Sequence, residues 1–193
     1  MNNRIQNRPL GWVPNEFSLK GTDGKFYSLQ KILGAKGLVV MFICNHCPYV
    51  KAITKQLVED IKTLKEYDIS SIAIMSNDFE TYPDDNYENM QKFSERNNFN
   101  FPYVVDETQS VAKNFMALCT PDFFGFDSEL KLQYRGRLND SGKNQTTSNT
   151  KRELVNAMLS ISNTGISPEN QYASIGCSIK WRSWFKDPLF HEL

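Results

Sequence analysis

At 193 residues, with 40% hydrophobic and 23% charged side chains, the chain is long enough to bury a sizeable core as one domain without covalent staples. Its 22 basic and 22 acidic side chains cancel, so the charge balance offers no argument for a nucleic-acid or membrane-surface partner, and no apolar run reaches transmembrane length. Four cysteines are too few for a disulfide scaffold at this size. Two of them form a C-x-x-C, the pattern of catalytic or metal thiols in a reducing compartment, and the polar N-terminus lacks an apolar signal core, so a cytoplasmic location is expected.

In chain order, residues 1–13 read as a polar arm in which Trp12 supplies packing. Phe17–Leu19 and Phe26–Leu29 flank Asp23-Gly24 and predict a hairpin, with a short helix capped by Ser28 behind it. Gly37–Ile43 is uninterrupted and apolar, as suits a strand buried on both faces. From Cys44 to about Tyr67, Ile53, Leu57, Ile61 and Leu64 recur at spacings of three and four, which predicts a helix. Pro48 lies inside that span and predicts a kink one turn in. Ile69–Met75 reads as a second buried strand ending at Ser76-Asn77-Asp78. Tyr82–Asp85 reads as a loop, Asn86–Asn97 as a polar helix, Tyr103–Val105 as a short strand and Glu107–Leu118 as a helix. Phe123–Phe126 and Leu130–Arg135 predict an antiparallel hairpin, with Arg135 and Arg137 as solvated cations on its edge. Residues 139–150 are loop-like, and Thr150 is a candidate cap for a last helix over 151–162. The segment 163–193 shows no clear period and carries Cys177, Trp181 and Trp184, the tryptophans serving to dock it. The order predicts an α/β domain over 14–162, a mixed sheet with helices on both faces, followed by a packed tail. Ligand chemistry in such sheets sits beyond the carboxyl ends of parallel strands, where Cys44 and Asn77-Asp78 fall.

Cys44-Asn45-His46-Cys47-Pro48 carries the chemistry. Two thiols three positions apart at a strand-to-helix junction suit a dithiol/disulfide couple. Cys44, where the unpaired N–H groups of a helix start are expected, is the candidate nucleophile with a lowered pKa, and Cys47 the resolving thiol. A protonated His46 between them stabilises a thiolate and makes the couple more oxidising. Half of a zinc site is the competing reading, but it lacks a second C-x-x-C or H-x-H; no metal and no cofactor is assigned.

The stretches Phe42–Val50, Thr120–Phe124, Tyr134–Arg137 and Ser174–Trp181 resemble the thioredoxin-like superfamily, specifically its peroxiredoxin-like branch of the alkyl hydroperoxide reductase/thiol-specific antioxidant type with a C-x-x-C. The resemblance implies a thioredoxin-like fold with an N-terminal hairpin extension and a C-terminal tail. It implies a cis Pro121 facing the thiols and a Thr120 that offers its backbone to substrate. With Pro48 these are the expected substrate-binding residues, and Cys44, Cys47, His46 and Asn45 the catalytic ones. The buried acid that thioredoxins carry six residues before the first cysteine is replaced by Leu38, and the glutamate that related proteins carry six residues after it by Val50; Asp78, Asp122 or a water is left to accept a proton from Cys47.

The implied activity is thiol–disulfide oxidoreduction on a disulfide-containing protein or small molecule, recycled by an upstream thiol reductase. A peroxidase alternative asks for a Thr or Ser three residues before the reactive cysteine and a Pro seven before; Met41 and Gly37 stand there. A redox-sensing or metal-carrying module, with copper(I) on the two thiolates, is the third reading. Cys119 reads as a small buried hydrophobe. For Cys177 two readings stay open: a free structural thiol, or a tail thiol that folds back to exchange with Cys44.

Overall fold

The computed structural model describes residues 8–144 and 146–183. Strands β1 (Ser18–Gly21) and β2 (Phe26–Ser28) form the expected hairpin, with Gly24 at φ +80°, a backbone state that costs glycine nothing. A single turn of helix, α1 (Leu29–Ile32), follows. The central strand β3 (Gly37–Phe42) runs parallel to β4 (Ile69–Met75), and β4 parallel to β5 (Tyr103–Val105). Helix α2 (Pro48–Lys65) connects β3 to β4, and α3 (Tyr87–Arg96) connects β4 to β5. After α4 (Ser110–Phe115) and a two-residue strand β6 (Cys119–Thr120), the hairpin β7 (Asp122–Phe126) and β8 (Leu132–Gly136) joins the sheet antiparallel to β3. Helix α5 (Glu153–Thr164) then leads to the tail, where β9 (Cys177–Ser178) pairs with β6. The main sheet has the order β2-β1-β5-β4-β3-β7-β8, a thioredoxin-like α/β arrangement.

All six residues of β3 are buried. Val39 and Met41 face a core with Leu57, Ile61 and Leu64 of α2, Met90 of α3 and Met158 of α5. Leu38, Val40 and Phe42 face the other core, with Phe115 of α4 and Phe124 and Phe126 of β7. The strand's period of two thus feeds apolar side chains into both faces, which is why it reads as a continuous apolar run. Trp12 from the arm meets Phe115 edge-on at 5.3 Å.

Several expectations are corrected. Pro48 does not kink a helix begun at Cys44. It is the first residue of α2, where its missing N–H is one that no helix could satisfy and its fixed φ suits the start. Helix α4 is shorter than expected, because Gln109 (φ 58°) and Met116 (φ 53°) are both left-handed and close it at either end. Thr150 does not cap the last helix; Arg152 stands at that position. Arg135 is buried rather than solvated, ion-paired to Asp122 at 3.3 Å, and Arg137 makes a two-pronged pair with Glu153 at 2.7 and 2.9 Å. Trp181 packs against the second core, whereas Trp184 lies outside the described residues.

Candidate active site

Cys44 follows β3 directly, at the carboxyl end of the parallel strands, and Cys47 is the residue that caps α2. The placement follows from chain geometry: an apolar strand must end where it leaves the sheet, and Pro48 starts the helix there. Opposite lies Thr120, joined to Pro121 by a cis peptide. Its hydroxyl is 3.2 Å from Cys44 Sγ, and its carbonyl oxygen is 3.1 Å from Cys47 Sγ, from which it accepts when that thiol is protonated. Both cysteine residues are fully buried, with no exposed surface.

The two thiols share their protons unequally. The Cys44 thiol is turned toward Cys47 and serves as donor to it, which pushes the Cys44 pKa well up; burial and the nearby Asp85 carboxylate push in the same direction. Cys47 is pulled down, first by that Cys44 donor and then by the Cys177 thiol and the Val50 and Cys177 backbone N–H groups, which together outweigh burial. The downward shift thus falls on Cys47, at the helix start. The physical reason is the later start of α2: the unpaired N–H groups and positive dipole end lie beside the second thiol, not the first.

Asn45 and His46 are held by a residue the sequence did not single out. Asp85 ends a single turn of 3₁₀ helix, Pro83–Asp85, just before α3, and is completely buried. Its carboxylate accepts from the Asn45 backbone N–H at 2.8 Å, the Asn77 side-chain amide at 2.8 Å and His46 Nδ1 at 2.7 Å. Asn45 is fixed further by donating to the Asp84 carbonyl at 2.9 Å and accepting from the Tyr103 hydroxyl at 2.9 Å. Tyr82 stacks on the His46 ring, with 6.3 Å between centroids. No motif announces Asp85; it reaches the loop from 38 positions beyond Cys47 only through the fold.

The proposed substitutes for the missing buried acid are engaged elsewhere. Asp78 is held by Thr81 and faces Arg182, and Asp122 by Ser174 and Arg135. Cys119 is a quiet thiol: burial pushes its pKa up to about 12. Cys177 lies against the core that contains Cys44 and Cys47, and the thiol it faces is Cys47, not Cys44. Pro48 is exposed at the rim and Pro121 is buried beneath the tail. Among the described residues one cluster has metal-ligand spacing, with Cys44, His46 and Asp85 donor atoms all within 4.8 Å of one another. Its carboxylate accepts from three donors, one of them His46 of the same cluster.

The AhpC/TSA family matches residues 12–135. Among solved structures, an uncharacterized conserved protein from Geobacillus kaustophilus is 44% identical, with a TM-score of 0.85 over 91% of this chain and 93% of its own. A hypothetical protein from Sinorhizobium meliloti is 31% identical, with a TM-score of 0.87 over 92% of this chain and 97% of its own. The thioredoxin domain of a thiol-disulfide oxidoreductase from Bacteroides vulgatus is alike in fold alone, at 17% identity and a TM-score of 0.57 over 67% of this chain and 89% of its own. No curated protein matches. No helix among the described residues is long and apolar enough to cross a membrane. With its sheet order, its C-x-x-C dithiol and its homology over most of the domain, the chain belongs to the AhpC/TSA family and is a thioredoxin-fold thiol–disulfide oxidoreductase.

Proposed function

We propose that Cys47 and Cys44 act in that order. The Cys47 thiolate attacks one sulfur of a substrate disulfide, and the other sulfur leaves with the bonding electron pair. Cys44 then loses its proton and attacks Cys47 Sγ, which closes the Cys44–Cys47 disulfide and releases the substrate as a dithiol. The observation that carries this order is the position of Cys47 at the N-terminal boundary of α2, beside the helix's unpaired N–H groups, and the opposite shifts of the two thiols agree with it. His46 and Asn45 act as positioning residues, held by Asp85, for the loop between the thiols. Thr120 lies against both sulfurs. With Pro121 beneath the tail and Pro48 at the exposed rim, it contacts the substrate, a disulfide-containing protein or small molecule, when the tail is displaced. Two electrons per turnover must return from an upstream thiol reductase. A reducing, cytoplasmic setting fits a chain of four cysteines, two of them in a C-x-x-C.

The order is tested by trapping. With a thiol removed, the remaining nucleophile stays attached to substrate. In a Cys177→Ser background, which removes the thiol facing Cys47, Cys44→Ser should accumulate a mixed disulfide on Cys47 with a substrate peptide, and Cys47→Ser should accumulate none. The opposite pattern would restore Cys44 as the attacking thiol.

A further inference from the structure

The dithiol is sealed by the protein's own tail. Strand β9 lies antiparallel to β6, with Cys177 opposite Thr120 and Ser178 opposite Cys119. The approach is so close that a Cβ on Gly176 would collide with the Thr120 carbonyl oxygen and stand 3.0 Å from the Pro121 nitrogen. Polar anchors hold the segment on both sides. Ser174 donates toward Asp122 and the Gly136 carbonyl, at 2.8 and 2.6 Å. The Lys180 backbone N–H donates to Asn77 Oδ1 at 2.9 Å, and the Lys180 carbonyl accepts from the Asp78 N–H at 2.8 Å. The Arg182 N–H donates to Gln109 Oε1 at 2.8 Å. Cys177 is thereby fixed facing Cys47 and remains partly exposed, while Cys44 and Cys47 are not exposed at all.

An extended segment added to a strand edge, with a cysteine aimed at the reactive thiol, has the geometry of a bound substrate. Here the occupant is covalently part of the chain. We propose that Cys177 is a third redox cysteine, which carries the disulfide between the sealed Cys44/Cys47 pair and solvent. The proposal rests on the reading of that pair given above.

The step is an exchange. The Cys177 thiolate attacks Cys47 Sγ of the Cys44–Cys47 disulfide, so the Cys47–Cys177 bond forms and the Cys44–Cys47 bond breaks. The electron pair leaves on Cys44 Sγ, which takes up the proton that Cys177 gave up. The oxidation state of the protein is unchanged; the disulfide has moved to a cysteine that solvent reaches. An external dithiol then reduces it, supplying two electrons and two protons. In the reduced state burial and the facing Cys47 hold the Cys177 thiol above its usual pKa, so the tail thiol stays protonated beside the Cys47 thiolate until a disulfide forms.

The test is disulfide mapping on the full chain. Reduced wild-type, Cys44→Ser, Cys177→Ser and Cys119→Ser proteins are oxidised with one equivalent of oxidised glutathione, alkylated and digested without reduction, and the linked peptides are identified by mass. Cys44→Ser should form the Cys47–Cys177 disulfide in most chains. Oxidised Cys177→Ser should keep Cys44–Cys47 but be re-reduced by dithiothreitol about tenfold or more slowly than wild type, while Cys119→Ser keeps the wild-type rate. If wild type forms Cys44–Cys47 but Cys44→Ser yields only glutathione adducts with Cys177 alkylated, the relay is overturned and the dithiol couple stands. If neither wild type nor Cys177→Ser forms a Cys44–Cys47 disulfide, the couple itself falls, and the relay with it.

Discussion

Replacing Asp85 by Asn changes one oxygen to an NH₂ group and removes one buried charge, and the consequence can be worked through bond by bond. The oxygen that the new side chain retains can still accept the Asn45 N–H, now made to Oδ1. His46 can keep its contact as the neutral tautomer, with Nδ1 accepting instead of donating. Asn77 has no such escape. Its amide donates to Asp85 Oδ2, while its own oxygen accepts from the Lys180 N–H; turning the amide over to face the new NH₂ would break the bond to the tail. One buried donor is stranded, at a cost of about 1–3 kcal/mol. Two hydrogen bonds to a charged acceptor become neutral, each losing about 1 kcal/mol. We expect a loss of about 3–5 kcal/mol, the range for breaking a buried ionic contact by removing one partner. Urea unfolding of the reduced protein at neutral pH measures it, and the slope should be unchanged so that the midpoint shift reads as stability. The carboxylate also raises the Cys44 pKa, so the variant should lower it. A loss below about 1 kcal/mol, the median scale of an exposed ion pair, would refute the view that Asp85 organises the loop between the thiols.

Thiolate absorbance of the reduced protein against pH should show a group ionising below the free-cysteine value of about 8.5; it should vanish in Cys47→Ser and move up in Cys44→Ser, which lacks the donor, and a first ionisation at or above the free value would contradict the assignment to Cys47. Gly176→Ala drives a Cβ into the Thr120 carbonyl, so the tail must lift. Alkylation of Cys47 by N-ethylmaleimide should then speed up about tenfold or more, at an overpacking cost of about 1–3 kcal/mol; unchanged protection of Cys47 would show that something other than the tail seals the site. Asp106 is buried, one of its oxygens has no partner, and burial raises its pKa. A carboxyl whose folded pKa lies above the unfolded value of about 3.9 holds its proton more tightly when folded, so its contribution to stability is lost as pH rises through the folded pKa. Asp106→Asn escapes that loss. Its stability relative to wild type should therefore increase from about pH 4 upward and then level off; a difference independent of pH, or one that falls, would contradict the sign.

The strands and the dithiol were legible because their signals are local. Ile69–Met75, apolar but for Ser70-Ser71, occupies the predicted residues, and the unbroken apolar run Gly37–Ile43 differs from β3 by one, since short β-rich apolar stretches bounded by turn or polar residues leave few alternatives. The C-x-x-C needs only its own spacing. The start of α2 was misplaced because a proline one turn into a helix and a proline at its first position give the same sequence pattern; only the backbone at Cys47 separates them. That displacement puts Cys47, rather than Cys44, beside the unpaired N–H groups of the helix start. Arg135 read as solvated because a lone cation on an edge strand usually is, and its acid, Asp122, comes to it across the β7–β8 hairpin. Asp85 and Tyr103 carry no motif, and Asn77 was legible only by its place at the carboxyl end of the second strand. Their convergence on Asn45 and His46 is a property of the sheet order, which brings the ends of β3, β4 and β5 together.

The central claim, that the Cys44/Cys47 pair exchanges with disulfides, is tested most directly by stopped-flow oxidation of the reduced protein. Tryptophan fluorescence is followed with a small-molecule disulfide and, separately, with hydrogen peroxide, and the Cys44→Ser/Cys47→Ser double variant serves as the blank. The account predicts faster oxidation by the disulfide than by peroxide at equal concentration, ending in one Cys44–Cys47 bond per chain or its Cys47–Cys177 exchange product. Faster oxidation by peroxide, with a sulfenic acid on Cys47 or Cys44 preceding any disulfide, would contradict it and make the protein a peroxidase.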